Sequence, residues 1–462
     1  MIETKGRDIE GVLQTAQKQL NKTTPTLVSI TEHISKVDLL SFFAMGKELG
    51  MNRTFWSDSS QQQFLVGIGE TYTLQAKEHT YEMIQTEWQQ LMEHAIVNKS
   101  IEVSSIGPVA IGGFPFDEGA HHSDLWQGYE GSKFRIPKYL LTVHGAEYYL
   151  SINLLLTQNC NISTLAEAIL KEKEQLLSNK VQLDITNKVI LQHEVDPIEW
   201  KDLVKQVTNH IEKTSVEKIV LARELQVEFA KCCNITEVLQ RLLDTQQNSY
   251  VFAWEKDDAC FVGATPERLV KVTNEQLLST CLAGTASRGR TKKEDAAIGQ
   301  ALLHDPKNIK EHQIVVDMIY DAVSSCAHDV VVPTEPVLYP LHHLQHLYTP
   351  VVATLNKGFT LLDIVKKLHP TPALSGFPQQ ESIQFLREHE SLQRGWYGAP
   401  IGWFDAHFNG EFAVAIRSAL VRQSHASLFA GCGVVRDSDP EMEYEETKMK
   451  FTPMLDALGG EV

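Results

Sequence analysis

Near the C-terminus, the stretch SDPEMEYEETKMK, Ser438 to Lys450, sets four glutamates among the six residues from Glu441 to Glu446. Carboxylates this dense either form a solvated acidic surface or hold a cation. Pro440 suits the first turn of a helix. The N-cap falls to Ser438, which has the S-x-x-E spacing of a capping box with Glu441, or to Asp439 beside the proline. At about 100° per residue, Glu443, Glu446 and Lys450 lie within about 60° of one another, with Glu441 and Glu445 opposite. Capping, the helix dipole and solvent account for the Glu441 and Glu445 face. The other face sets two carboxylates beside an ammonium one turn on, a combination that can hold a hard cation and an anion together. A solvated, salt-bridged helix is the commoner use of such a stretch taken alone.

Other segments add chemistry to that face. Read as one strand, AVAIRSALV puts Ala413, Ala415, Arg417, Ala419 and Val421 on one side, so Arg417 projects among small residues. The concavity they leave suits bidentate binding of a carboxylate, the alternative being a surface arginine on an edge strand. LFAGCGVVRDSDPE follows, where Gly431 and Gly433 would let an anion approach backbone N–H groups. The run KKEDAAIGQALLHDPKNIKEHQIVVDMI reads as a helix broken at Asp305-Pro306, with Glu311 ahead of its apolar residues. A single helix glutamate is usually a surface residue. HHLQH sets His342 and His346 at i, i+4, but no H-E-x-x-H glutamate accompanies them, which argues against zinc. VGIGE near Gly67 lacks the third glycine and the lysine of a phosphate loop.

The elements around these residues alternate. Strands are expected at TLVSI, QQFLVGIG and PVAIGGFPF, helices over about Lys77–Val97 and Ser163–Asn179, and a hairpin where KYLLTV and EYYLSINLLL flank His144-Gly145. Asp196 before Pro197 marks a helix start in DPIEWKDLVKQVTNHIEK, which leads to the strand KIVLARELQVEF with Lys218 at its start. Asn409-Gly410 suits a two-residue hairpin turn. Hairpins of this kind imply an α+β fold with antiparallel sheets. No repeat or linker divides the chain, so one interwoven unit is expected, with a soft boundary near residue 190.

The bulk properties exclude several classes. A net charge of −17 over 462 residues offers no basic surface for nucleic acid or an anionic membrane. The seven cysteines are odd in number and unevenly spaced, with Cys232 and Cys233 adjacent, so neither a disulfide framework nor a zinc pattern emerges. A reducing cytoplasm is the expected location: there is no signal-peptide core and no run of 18 apolar residues.

Taken together, the segments resemble the chorismate-utilising enzymes, and most closely the isochorismate synthases. In family order come KIVLAR at Lys218, GATPERL with Glu267, LAGTASRG with Gly284 and Thr285, and KEHQIVVDMI with Glu311. LQHL with His346, HPTPALSGFP from His369, WYGAPIGW with Tyr397, AIRSALV with Arg417, AGCGVV and the glutamate stretch complete the series, over roughly residues 195 to 455. In the more variable N-terminal part, TFWSD followed by FLVGIGE looks like the menaquinone-pathway members.

The resemblance implies a fold like anthranilate synthase component I: large antiparallel sheets with helices outside, residues 1–190 forming the variable part and 191–462 the chorismate-binding catalytic part. It also implies a Mg2+-dependent reaction in which water adds at C2 of chorismate and the C4 hydroxyl leaves. Lys218 would be the base that activates water and Glu267 the acid that protonates the departing hydroxyl. A buried site favours the neutral form of each. Glu311 and Glu446 would ligate Mg2+, with Glu443 supporting the site through water. Tyr397 and Arg417 would meet a substrate carboxylate, and Gly284, Thr285, Gly431 and Lys450 would complete its contacts.

Two positions qualify the match. Asn308 stands where several relatives carry a third acidic residue. Lys218 stands where the amine-transferring relatives commonly have Gln, so water is favoured over ammonia. Salicylate synthases keep the lysine; Ala373-Leu374 is more like the isochorismate formers, since the salicylate formers often have Thr at the first position. The alternatives are a salicylate synthase, a siderophore-pathway isochorismate synthase, and a catalytically silent member that binds a carboxylate. A monomer or weak homodimer is expected.

Overall fold

The computed structural model describes residues 9–20, 25–98, 103–119, 123–178, 186–340 and 344–460. Two sheets dominate it. In the 13-stranded sheet, Lys218–Phe229 lies between Val189–Glu194 and His425–Val434, followed by Ser418–Arg422, Ala259–Thr265 and Tyr250–Lys256, and then by strands from the first 160 residues. The 10-stranded sheet runs from Ala327–Val331 through Leu344–Leu355, Gln276–Ser287, Arg268–Thr273, Gly410–Val414 and Pro400–Asp405 to Val109–Gly113 and beyond. Pairing among the described strands is antiparallel except between Thr26–Ile34 and Ile96–Asn98.

Both sheets draw strands from either side of residue 190. Arg53–Ser57 pairs with Tyr250–Lys256 in one, and Val109–Gly113 with Pro400–Asp405 in the other. An aromatic layer joins them, in which Trp56, Trp254 and Phe261 of the larger sheet meet Trp403 of the smaller one around Trp126, Tyr129 and Trp396. Trp254 and Trp396 have ring centroids 5.2 Å apart. Removing one such buried ring would cost about 3–5 kcal/mol. Helices cover the outside. Leu13, Ile169, Leu239 and Phe451 come from four helices and pack in one core with Val28, Leu150 and Leu428 of the larger sheet.

Most local expectations match, with informative departures. The expected helices form over Thr80–Glu93, Ile162–Ser178 and Pro197–Lys213. Asp196, however, adopts φ 43° and its side chain makes no capping bond. The long run does break at Asp305, whose carboxylate accepts from the N–H groups of Lys307 and Asn308 to start the helix Pro306–Ser324. At Asn409-Gly410 a hairpin forms but not by a two-residue turn. Gly410 is already in the strand, Phe408 takes the left-handed conformation, and the Asp405 carboxylate accepts from the N–H groups of His407 and Asn409. The aspartate's local bonds decide the turn.

The largest departure is AVAIRSALV, which is two strands. Gly410–Val414 belongs to the smaller sheet and Ser418–Arg422 to the larger one, so Ala415–Arg417 crosses between sheets, with Arg417 at φ 51°. GATPERL does the same in the opposite direction. Ala259–Thr265 lies in the larger sheet, Arg268–Thr273 in the smaller, and Pro266-Glu267 spans the gap. The crossovers are neighbours: Val414 donates its N–H to the Glu267 carbonyl at 3.0 Å, and Ala264 donates to the Arg417 carbonyl at 3.1 Å.

Candidate active site

At these crossovers lies a cavity of about 400 Å³, lined by Lys218, Glu267, Gly284, Thr285, Glu311, Tyr397, Arg417, Gly431, Glu443, Glu446 and Lys450. Every residue to which the resemblance assigned a catalytic, substrate or metal role lines it. Glu441 and Glu445 do not; they pair with Lys201 and Lys448 at the exposed surface.

Each position has a local cause. In GATPERL, Arg268 donates to the buried carboxylate of Glu411 at 2.8 Å, which fixes the crossover while its neighbour Glu267 lines the cavity. Lys218 begins its strand opposite Phe377, one residue from the pairing of Ile219 with Val434. A Cβ on Gly433 would stand 2.3 Å from Lys218 Cε. Gly433 therefore makes room for the lysine side chain, a different use from the anion approach expected of it. Gly284, at φ 79°, sits where the register of its strand shifts. The bulge sets Thr285 against His346, with Oγ1 and Nδ1 2.9 Å apart. Thr285 also donates its N–H to the Asn308 side chain at 3.3 Å.

The glutamate stretch is capped by Asp439, which accepts from the N–H groups of Glu441 and Met442. Ser438 instead donates to Glu443 at 2.7 Å. The helical phase holds: Lys450 pairs with Glu446 at 2.6 Å and donates to the Gly431 carbonyl at 2.8 Å. Gly431 thus offers a carbonyl here rather than an N–H group.

Electrostatically the cavity balances four cations, Lys218, Lys307, Arg417 and Lys450, against Glu267, Glu311, Glu443 and Glu446. Burial pushes the Glu267 carboxyl up to about 7, despite Lys218, Arg417 and Lys450 nearby. Glu267 is half-buried in the cavity wall, and the loss of solvent around its carboxyl outweighs those cations. Glu311 goes the other way. Burial would raise it, but Lys218 at 2.5 Å, with Lys307 and Lys450, holds it below the usual range. Burial, reinforced by Arg417 and Lys450, lowers His346 to about 4, so it is neutral at pH 7. Burial also raises the Tyr397 hydroxyl, which stays protonated.

His346 lies on the strand Leu344–Leu355 and is engaged by Thr285; His342 lies outside the described residues. Among the described residues no cluster of three or more His, Cys, Asp or Glu side chains is assembled for a metal. The oxygen donors come instead from two helices, Glu311 from one and Glu443 and Glu446 from the other. Each of Glu311 and Glu446 carries a lysine where a cation would go. Hard carboxylates, few in number, suit Mg2+, which keeps several of its waters.

Sequence reading passed over Lys307 as a cavity residue. Its signal was present, since Lys307 stands four residues before Glu311 on one helix. Phe429, which stacks obliquely on Tyr397 at 5.4 Å, carried none.

A family profile described as chorismate binding enzyme matches residues 12–459. The chain belongs to the chorismate binding enzymes. Within curated members of this family, it is 39% identical over 458 residues to isochorismate synthase MenF of Bacillus subtilis, covering 97% of each chain. It is 32% identical over 445 residues to the salicylate biosynthesis isochorismate synthase of Pseudomonas aeruginosa, covering 94% of this chain and 90% of that one. The fold matches that of the menaquinone-specific isochorismate synthase MenF of Escherichia coli, with TM-score 0.82, 24% identity, and 98% and 99% of the two chains covered. Among the described residues no helix is long and apolar enough to cross a membrane.

Proposed function

We infer that this chorismate binding enzyme is an isochorismate synthase, converting chorismate to isochorismate for menaquinone synthesis. The observation that carries this reading is the placement of Lys218 and Glu267 on one cavity with the guanidinium of Arg417, which makes no ion pair among the described residues. The 39% identity to a menaquinone-type enzyme over nearly the whole chain supports the choice of product.

In this reading Lys218 takes a proton from the water that adds at C2, and Glu267 gives one to the C4 hydroxyl, which leaves as water. Glu267 suits the task, since a carboxyl titrating at about 7 holds its proton at neutral pH. Arg417 and the Tyr397 hydroxyl bind a substrate carboxylate, with Gly284, Thr285, Gly431 and Lys450 completing its surroundings. Glu311 and Glu446, with Glu443 through water, would hold Mg2+, which supplies a hard Lewis acid for a substrate carboxylate and a cation for Glu311. Lys218 can act as a base only once Glu311 has another partner. The same exchange would release Lys450 from Glu446 to meet an anion. One chain supplies every group, so a monomer or weak homodimer suffices. The seven free cysteines suit a reducing cytoplasm.

Incubation with chorismate and Mg2+, followed by chromatography, tests the reading. Isochorismate is the expected product. A majority of salicylate plus pyruvate would replace it with a salicylate synthase. No turnover at any Mg2+ concentration would indicate a silent carboxylate-binding member.

A further inference from the structure

The four cations of the cavity fall into two kinds. Lys218 and Lys450 are held by Glu311 and Glu446 at 2.5 and 2.6 Å. Arg417 and Lys307 make no ion pair or side-chain hydrogen bond among the described residues. These two differ in depth. Arg417 is half-buried and lies at the sheet crossover, whereas Lys307 is exposed, in the first turn of the helix Pro306–Ser324. The bond from Thr285 to Asn308 ties that first turn to the cavity wall. Lys307 thus stands on the rim with no ion-pair partner among the described residues, in a chain of net charge −17 that would otherwise repel an anion.

We propose that Lys307 is the rim residue that captures the anionic substrate, drawing one carboxylate of the incoming dianion to the mouth while Arg417 receives the other inside. The inference rests on the chorismate reading above. Lys307 takes no part in proton transfer. It is a positioning residue whose contribution is electrostatic and therefore screened by salt. Lys310, one residue before Glu311 on the same helix, is the natural control, because it pairs with Glu217 outside the cavity.

Chorismate binding measured by calorimetry, alongside turnover, tests this in the wild type, Lys307→Ala, Lys307→Arg and Lys310→Ala. At low ionic strength Lys307→Ala should bind about three- to tenfold more weakly, with kcat within about twofold of wild type. The difference should shrink below about twofold at ~0.5 M salt. Lys307→Arg should restore affinity and Lys310→Ala should leave it unchanged. Equal affinity and equal salt dependence in wild type and Lys307→Ala would overturn the proposal, as would a loss confined to kcat. If the wild type itself neither binds nor converts chorismate, the proposed function fails and this inference with it. If only the Lys307→Ala difference is missing, the inference fails alone.

Discussion

Two ion pairs on one helix look alike and differ in meaning. Lys201 to Glu441 and Lys450 to Glu446 are both 2.6 Å long, and both involve glutamates of the helix Pro440–Ala457. The first lies at the surface, where Lys201 also sits over the Tyr444 ring at 4.0 Å and clips one helix to another. The second faces the cavity, with Arg417 close enough to sense Glu446. Distance alone does not separate a structural pair from a functional one. The surroundings do, because an exposed pair has water as an alternative partner, and a cavity pair waits for a ligand.

The comparison can be broken by variants of decreasing expected effect. Lys218→Ala, which removes the proposed base and leaves Glu311 without its lysine, should lower kcat about 10²–10⁴-fold with an unchanged circular dichroism spectrum. Wild-type turnover in that variant would remove Lys218 from the chemistry. Glu446→Gln should raise the Mg2+ concentration needed for half-maximal turnover about 10- to 100-fold. Glu441→Gln, on the outer face, should leave that concentration unchanged.

The next expectation concerns Glu267. As the proposed acid it would have to carry its proton, so kcat should fall as the pH rises through about 7. Its folded value lies above the ordinary 4.5, so between about 4.5 and 7 the unfolded chain has released a proton that the folded chain keeps. Its contribution to stability is therefore lost as pH rises across that window. Glu267→Gln should be inactive yet have a higher Tm than wild type at pH 8, with little gain at pH 4; equal melting at both would refute the buried, protonated state. The smallest effect belongs to Lys201→Ala. It should cost about 1 kcal/mol or less in urea unfolding and leave kcat within error.

Some of the site was legible because it is local. Helical phase separated Glu443, Glu446 and Lys450 from Glu441 and Glu445, and Asp305-Pro306 marked where the next helix begins. The same reasoning would have found Lys307, one turn before Glu311. Alternation misread AVAIRSALV, because both of its strands keep the period of two and a change of sheet leaves no mark on it. The purpose of Gly433 was hidden too, since the lysine it accommodates lies more than two hundred residues earlier in the chain.

The sequence by itself determined which side chains each element presents: the face of a helix, the start of a strand, the sign of the charge. These follow from periodicities of a few residues. Only the tertiary structure decided that Glu267 and Arg417 sit on adjacent crossovers between two sheets, that Lys218 meets Glu311, and that Glu267 is buried enough to keep its proton. Each depends on pairing between distant strands and on how much protein lies behind a carboxyl, and neither is a property of a short stretch of chain.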